Sequence, residues 1–119
     1  MDIPIDFVIH SASITEPDSL RTYAERRLAF ALDRFENHAR CVSVRIRDIN
    51  GPRRGVDSRC SITLTLRDGR RIEAESVTAW PFASITLAAK RLTSTLRRKV
   101  EKTRVSVRRR RASRFDAGA

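Results

Sequence analysis

The residues best suited to a chemical role in this sequence are basic, and they are concentrated between Lys90 and Arg114. That stretch holds twelve lysines or arginines and a single acid. Arginine outnumbers lysine 22 to 3 along the whole chain, and a guanidinium group can bind a phosphate through two parallel hydrogen bonds and stack on a base. The pattern therefore predicts a surface that binds phosphate groups, such as those of RNA or DNA.

The positive charge is concentrated at one end of the chain. Residues 1–79 contain 13 basic and 12 acidic residues, whereas residues 80–119 contain 12 basic and 2 acidic ones. The two parts therefore carry +1 and +10 of the net charge of +11. Such an asymmetry indicates a polyanionic partner, with nucleic acid favoured over a membrane surface.

Catalytic and metal-binding patterns are absent from the sequence. His10 and His38 have no carboxylate or cysteine at a useful spacing. Cys41 and Cys60 are predicted on opposite faces of neighbouring strands, so they should not form a disulfide, and two thiols alone do not make a structural zinc site. Since no phosphate-cradling glycine loop or nucleophile–base pattern occurs either, we expect no enzyme activity, metal, cofactor or small-molecule substrate.

Hydrophobic spacing predicts the elements that must position the basic groups. Apolar residues alternate along four stretches, which predicts strands, and recur every three or four positions along two others, which predicts helices. Asp68-Gly69 is a strong hairpin signal between the last two strands. The order β-α-β-β-β-α predicts an α+β fold, with both helices packed on one face of a four-stranded sheet. The predicted strands span residues 3–9, 41–49, 58–67 and 70–77, and the predicted helices span residues 16–36 and 80–104.

The second predicted helix has one buried face and one basic face. At about 100° per residue, its apolar stripe is formed by Ile85, Ala89, Leu92, Leu96 and Val100. The basic side chains opposite this stripe are Lys90, Arg91, Arg97, Arg98, Lys102 and Arg104. A solvated helix face usually mixes both signs of charge, so we favour phosphate binding over a merely soluble basic helix.

The aromatic residues are not predicted to stack on nucleic-acid bases. Tyr23, Phe30, Phe35 and Phe82 lie in or beside the apolar helix stripes, which assigns them to the core. Trp80 begins the second helix and is expected to cover the end of the core. Without an aromatic platform, we expect recognition through RNA shape and phosphate contacts.

Length and composition favour one folded domain. The chain has 119 residues, of which 40% are hydrophobic, and this is enough for a single core. No apolar run approaches the roughly 20 residues needed to span a membrane, and no N-terminal targeting segment is recognisable. We therefore expect a cytoplasmic protein with no membrane partner, in which residues 1–104 form an α+β domain and residues 105–119 form a basic, mobile tail.

Three stretches of the sequence carry a family resemblance. ITEPDSLRTYAERRLAFALDRF combines a helix cap, a Leu-Arg-x-Tyr motif and a late Phe. CSITLTL and RIEAESV are spaced as a hairpin, and in WPFASITLAAKRLTSTLRRKVEK an aromatic-Ala-x-Ile run leads into a basic ending. In this order and spacing, the three stretches resemble the bacterial ribosome hibernation promoting factor family, which includes the ribosome-associated inhibitor. The resemblance covers roughly residues 1–104.

This resemblance implies a fold akin to double-stranded-RNA-binding domains and a binding site in the decoding channel of the small ribosomal subunit. That site overlaps those of mRNA and tRNA, so translation would be blocked and idle ribosomes stored. Arg21 and Arg27 match basic positions of the family's first helix. By position, the family's rRNA contacts on the second helix fall on Lys90, Arg91, Arg97, Arg98 and Lys102.

Three features depart from the family pattern. The loop NGPRRGVD is longer and more basic, which would add Arg53 and Arg54 to the contact surface. Thr86 occupies a position where the family usually has an acidic residue. The chain is too short to include the C-terminal dimerisation domain of long family members, so we expect a monomer off the ribosome.

Two other functions fit the same sequence. A general structured-RNA-binding module without ribosome specificity would carry a similar charge, and comparing its affinities for plain duplex RNA and for ribosomes would identify it. A non-catalytic regulatory module would instead bind a protein through the polar sheet face, or acidic lipid through the basic tail. Deletion of residues 105–119 would abolish a function that depends on the tail.

Overall fold

The predicted strands and helices occur in the predicted order in the computed structural model. It describes residues 3–10, 17–48 and 57–117, and the side chains up to residue 100. A short 3-10 helix follows the first helix. The elements are β1 (Ile5–Ile9), α1 (Pro17–Leu32), the 3-10 helix (Asp33–Phe35), β2 (Ala39–Asp48), β3 (Ser58–Leu66), β4 (Arg71–Thr78) and α2 (Pro81–Ala117).

The strands form one mixed sheet in the order β1-β2-β3-β4. β1 is parallel to β2, and the β2–β3 and β3–β4 pairs are antiparallel. Val44, Ile62 and Ala74 align across the three antiparallel strands, and all three are buried. Because side chains alternate between the two faces of a strand, this register gives the sheet one apolar face. The predicted α+β fold is thereby confirmed.

The hairpin between β3 and β4 turns at Asp68-Gly69, as predicted. Gly69 has a φ of 90°, in the left-handed region that glycine adopts without a steric penalty. The backbone N–H of Arg70 donates to Oδ1 of Asp68 at 3.0 Å, and its Nε donates to Oδ2 at 2.7 Å. The backbone hydrogen bond from Arg70 lowers the pKa of the Asp68 carboxyl below its ordinary value.

Both helices lie on the apolar face of the sheet, side by side. α2 packs on β3 and β4, and α1 packs against α2. Long aliphatic side chains from α1, α2 and the sheet are buried between the helices and the sheet, and this burial stabilises their packing. Fully buried members of this core are Leu20, Leu28 and Leu32 of α1, Ile46, Ile62 and Leu64 of the sheet, and Ile85, Leu92 and Leu96 of α2.

A buried polar contact fixes the first turn of α2 to the sheet. The hydroxyl of Ser84 donates to the backbone carbonyl of Ser58 at 2.8 Å and lies 2.6 Å from the hydroxyl of Thr78. The hydroxyl of Ser76 in turn donates to the backbone carbonyl of Ser84. Ser58, Ser76 and Ser84 are all buried. The start of α2 is therefore bonded to both β3 and β4.

Replacing Ser84 by alanine is expected to lower the free energy of unfolding by about 1–3 kcal/mol, because it leaves buried hydrogen-bonding groups without a partner. Urea denaturation measures this change. Ser94→Ala is the matched control, since Ser94 is exposed on the same helix, and its effect should stay within about 0.5 kcal/mol. Equal effects of the two substitutions would contradict a role for the Ser84 contact.

The two cysteines are free thiols in different environments. Cys60 faces the core from β3 and is fully buried, whereas Cys41 is only partly buried in β2. Burial raises the pKa of the Cys60 thiol to about 12, so the group stays protonated at neutral pH, and a protonated thiol is a poor nucleophile.

With the folded protein at pH 8, iodoacetamide is expected to modify Cys41 and to leave Cys60 unmodified until the protein unfolds. Mass spectrometry of the peptides that contain each cysteine measures both rates. Because the Cys60 pKa is raised, its rate should begin to increase only as the pH approaches 12 or the core opens. Equal rates for the two thiols in the folded protein would contradict the buried position of Cys60.

The ends of both helices differ from the prediction. α1 ends at Leu32 and continues as a 3-10 helix to Phe35, so the predicted end at Glu36 was wrong by a few residues. α2 continues to Ala117, well past the predicted end at Arg104. No glycine or proline lies between Phe82 and Ala117, and the arginines and alanines of this stretch are good helix formers.

The long second helix changes the interpretation of the C-terminal stretch. Its 37 residues span about 55 Å at 1.5 Å per residue. Residues 105–117, predicted as a mobile tail, are helical in backbone, and the domain division at residue 104 stays a prediction. The predicted helix cap at Thr15 lies outside the described residues. Within the described ranges, no helix is both long and apolar enough to cross a membrane.

Candidate nucleic-acid interface

An open groove runs between the outer sides of α1 and α2. At one end the helices are joined by aromatic and polar contacts. The rings of Tyr23 and Phe82 meet edge to face with centroids 5.2 Å apart, and the Tyr23 hydroxyl is hydrogen-bonded to that of Thr86. Further along the pair lies a groove of about 630 Å³, here called the inter-helix groove.

The inter-helix groove is lined by four cations and one acid among the described residues. Arg27 comes from α1, Arg34 comes from the 3-10 helix that follows it, and Lys90 and Arg97 come from α2. Asp33 is the acid. Lys90 and Arg97 are seven residues apart, which is about two helical turns, so they lie on the same side of α2. Arg34, Lys90 and Arg97 are exposed, and Arg27 is half-buried.

The basic face predicted on α2 is divided into two lines. Lys90 and Arg97 line the inter-helix groove, whereas Arg91 and Arg98 lie about 100° further around the helix. Nη1 of Arg91 donates to the backbone carbonyl of Glu75 in β4 at 2.6 Å, so this side chain reaches toward the sheet. Nε of Arg98 donates to the backbone carbonyl of Ser94 at 3.4 Å. Arg91 and Arg98 are both exposed to solvent.

The remaining predicted site residues lie elsewhere or outside the described part. Arg21 is exposed on α1 and pairs with Glu25 at 3.4 Å, so its charge is partly neutralised and it does not line the groove. Lys102 and Arg104 belong to the backbone of α2, but their side chains are not described. Arg53 and Arg54 lie in residues 49–56, outside the described residues.

Arg34 is a groove residue that the sequence analysis missed. It lies in the 3-10 helix that continues α1, seven residues after Arg27, and it lines the same groove. Its position depends on the change to a 3-10 helix after Leu32 and on the approach of α2, and no local sequence pattern marks either. With Arg34 included, two cations of the groove come from α1 and the 3-10 helix that continues it, and two come from α2.

The cations of the groove lack close acidic partners among the described side chains. The ion pair of Arg21 with Glu25 and that of Arg70 with Asp68 both lie outside the groove. Nε of Arg27 is buried and has no hydrogen-bond partner in the described part of the chain. Arg34, Lys90 and Arg97 are exposed, so the groove offers their donors to an anionic ligand.

Phe30 is exposed, and its assignment to the core was wrong. Its exposed fraction is 81%, and it lines the inter-helix groove. Phe30 is two residues from the buried Leu28, which places it about 200° around the helix and away from the core. Trp80, expected to cover the core, is also exposed at 62%, and its ring lies 5.2 Å from that of Phe82.

The opposite, outer face of the sheet carries charges of both signs. Arg45 and Arg47 project from β2, and Glu73 and Glu75 project from β4. The hydroxyl of Ser61 donates to Glu75 at 3.4 Å. In the described ranges, no group of three metal-ligating side chains comes together. This mixed face contrasts with the inter-helix groove, where positive charge dominates.

Comparisons with known proteins agree with the fold. The structure is similar to the N-terminal domain of Protein Y from Thermus thermophilus, with a TM-score of 0.63 and 24% identity over 82% of this chain and 98% of that one. It is also similar to a ribosomal subunit interface protein from Coxiella burnetii, with a TM-score of 0.65 and 16% identity over 83% of this chain and 99% of that one. No curated protein was found to match.

The family resemblance noted in the sequence is confirmed by a match over most of the chain. Residues 7–104 match the family described as sigma 54 modulation protein / S30EA ribosomal protein. This range contains both predicted helices and all four strands except the first residues of β1. The chain therefore belongs to the sigma 54 modulation protein / S30EA ribosomal protein family, whose members are ribosome-associated.

Proposed function

We propose that this protein silences ribosomes by binding the small subunit in its decoding channel, with the inter-helix groove and the basic face of α2 against rRNA. Bound there, it blocks mRNA and tRNA and keeps idle ribosomes out of translation. Binding requires no catalytic step and no cofactor. Family membership and the similarity to a ribosomal subunit interface protein support this association with the ribosome.

The observation that carries the proposal is the concentration of cations in the inter-helix groove, which have no ion-pair partner among the side chains that the structure describes. Arg27 of α1, Arg34 of the 3-10 helix, and Lys90 and Arg97 of α2 line one groove, and both α-helices pack on the sheet. Lys90 and Arg97 are about 10 Å apart along the helix axis at 1.5 Å per residue, so they can contact different phosphates. Because the helices fix these positions before binding, little ordering of the backbone opposes the association.

Sedimentation with purified ribosomal subunits tests the proposal. The protein is expected to sediment with small subunits at 50 mM salt. If six to ten phosphates are neutralised, the affinity should fall about 10³- to 10⁵-fold between 50 and 200 mM salt. Addition of the protein should also inhibit translation in vitro. No sedimentation with small subunits at 50 mM salt would contradict the proposal.

Plain duplex RNA is the control ligand for specificity. A decoding-channel protein should bind small subunits more tightly than it binds plain duplex RNA at the same salt concentration, because the channel adds contacts that depend on shape. Large subunits provide the second control, since they present rRNA without a decoding channel. Equal affinities for all three ligands would identify a general RNA-binding module instead.

A further inference from the structure

We propose that Phe30 is a base-stacking residue, which takes one unpaired RNA base into the inter-helix groove while the surrounding cations hold its phosphates. This inference rests on the proposed function and adds to it a chemical class of ligand. It assigns to the groove a single-stranded nucleotide, in addition to the phosphates of folded rRNA. The sequence analysis predicted no aromatic platform, and the exposed position of Phe30 in the groove is visible only in the structure.

The first observation is the exposure of the ring. Phe30 is 81% exposed, so its ring does not gain the free energy that burial of a phenylalanine in the core provides. Single exposed apolar side chains are common on protein surfaces. Phe30 differs from such residues because it lines a groove, whose other apolar lining includes Ala31 and Ala89. These small side chains leave space beside the ring.

The second observation is the charge around the ring. Arg27 precedes Phe30 by three residues on α1, which is the spacing of neighbours on a helix surface, and Arg34 of the following 3-10 helix lines the same groove. Lys90 and Arg97 line the same groove from α2. An aromatic ring within a cationic groove is the combination with which proteins bind single-stranded nucleic acid, because the ring stacks on the base and the cations contact the backbone.

The third observation is the size and polarity of the groove. Its volume of about 630 Å³ lies within the range of about 300–1,000 Å³ that is typical of small-ligand sites. Arg34, Lys90 and Arg97 are exposed in it, so their donors can reach RNA phosphates. An apolar peptide would leave the cations of the groove without anionic partners, so charge complementarity favours RNA over such a peptide.

Conservative substitutions of Phe30 test the stacking contact on small ribosomal subunits. Phe30→Ala and Phe30→Leu are expected to weaken binding about 5- to 150-fold, which is the measured range for loss of one stacked base. Phe30→Trp should bind as tightly as the original chain or more tightly. The dependence of affinity on salt should be unchanged in all three variants, because no charge is altered. Urea denaturation controls for folding, and this exposed position should tolerate each change.

A fluorescence measurement separates the stacking inference from the proposed function. Trp80 is the only tryptophan, so a chain with Trp80→Phe and Phe30→Trp carries one indole, in the groove. An unstructured RNA oligonucleotide at low salt should quench its fluorescence, and a blunt RNA duplex should not. Quenching by the oligonucleotide without binding to small subunits would uphold stacking and contradict the ribosomal function.

Three results would overturn the stacking inference. The first is binding of small subunits by Phe30→Ala as tightly as by the original chain. The second is weak binding by Phe30→Ala with full binding by Phe30→Leu, which would identify an apolar contact, such as one with a ribosomal protein. The third is an unchanged indole fluorescence when small subunits bind, and in that case the ribosomal function stands while the stacking contact fails.

Discussion

Reversing the charges of Lys90 and Arg97 together is expected to lower the affinity for small ribosomal subunits by about 100- to 10,000-fold. Each side chain is exposed in the inter-helix groove, and a hydrogen bond to a charged group contributes about 1.5–3 kcal/mol. The loss of two such contacts amounts to about 3–6 kcal/mol, at 1.4 kcal/mol per tenfold change in affinity. The introduced carboxylates would also repel phosphates.

The matched control places the same change of charge on the outer face of the sheet. Arg45→Glu with Arg47→Glu also lowers the net charge by four, at two exposed positions of β2. A small loss of affinity is expected, because these residues are remote from the groove and act only through the long-range field. If both double variants weaken binding equally, net charge alone governs the association and the groove is not the interface.

The neutral variants Lys90→Gln and Arg97→Gln give a second, quantitative readout. Each phosphate contact contributes about 0.7–0.9 to the slope of log affinity against log salt concentration. Loss of both contacts should therefore reduce the magnitude of the slope by about 1.5. Affinity measured at four or five salt concentrations gives this slope. An unchanged slope would show that neither side chain contacts a phosphate.

Replacing Leu92 by alanine is expected to lower the free energy of unfolding by about 2–5 kcal/mol. Leu92 is fully buried on α2, directly opposite the basic face, and α2 packs on both β3 and β4. Truncation removes buried apolar surface and leaves a cavity beneath the helix. Such a loss is a large part of the free energy of unfolding of a typical domain, which is about 5–15 kcal/mol.

Leu87→Ala is the control for this core substitution. Leu87 is on the same helix but only half-buried, so its truncation should cost about 1 kcal/mol. Urea denaturation of the original protein and of the two variants measures the change in the free energy of unfolding that each substitution causes. A smaller effect for Leu92 than for Leu87 would contradict the packing of α2 on the sheet. Small-subunit binding by the fraction of Leu92→Ala that remains folded should be nearly normal, because no groove residue is altered.

The fold was predictable because its elements have strong periodic patterns. Alternation in stretches such as CSITLTL identifies strands, and Asp68-Gly69 identifies the hairpin that pairs β3 with β4. The apolar stripe of α2, from Ile85 to Leu96, predicted which face of the helix is buried. The end of α2 was not predictable in the same way. Beyond Val100 the apolar stripe ends, and the helix continues through residues that favour the helical backbone without an apolar stripe to mark them.

The candidate site was only partly predictable, because it depends on how two helices lie against each other. The sequence placed Lys90 and Arg97 on the basic face of α2 and Arg27 on α1, and the structure brings these three together. It did not place Arg34 beside them, since that proximity requires the relative position of α1 and α2. The contact of Arg91 with the Glu75 carbonyl is a tertiary contact that no local pattern indicates.

Phe30 shows why hydrophobic character alone is a poor guide to the core. The residue was assigned to the core because it lies beside the apolar stripe of α1, yet its angular position places it on the opposite side of the helix. The same helix buries Leu20, Leu28 and Leu32 completely. An apolar residue outside the stripe of an otherwise amphipathic helix is therefore a candidate contact residue.

Chemical probing of small-subunit rRNA tests directly whether the protein binds in the decoding channel through the inter-helix groove. Dimethyl sulfate reactivity of the rRNA is measured in three samples. Small subunits are mixed with the original protein or with the Lys90→Glu and Arg97→Glu double variant, and in the third sample the original protein is added after mRNA and tRNA have bound. The original protein is expected to protect decoding-channel nucleotides. The double variant should give no protection, and the original protein should give little when mRNA and tRNA occupy the channel. Protection confined to another part of the subunit, or full binding beside mRNA and tRNA, would contradict this mode of binding.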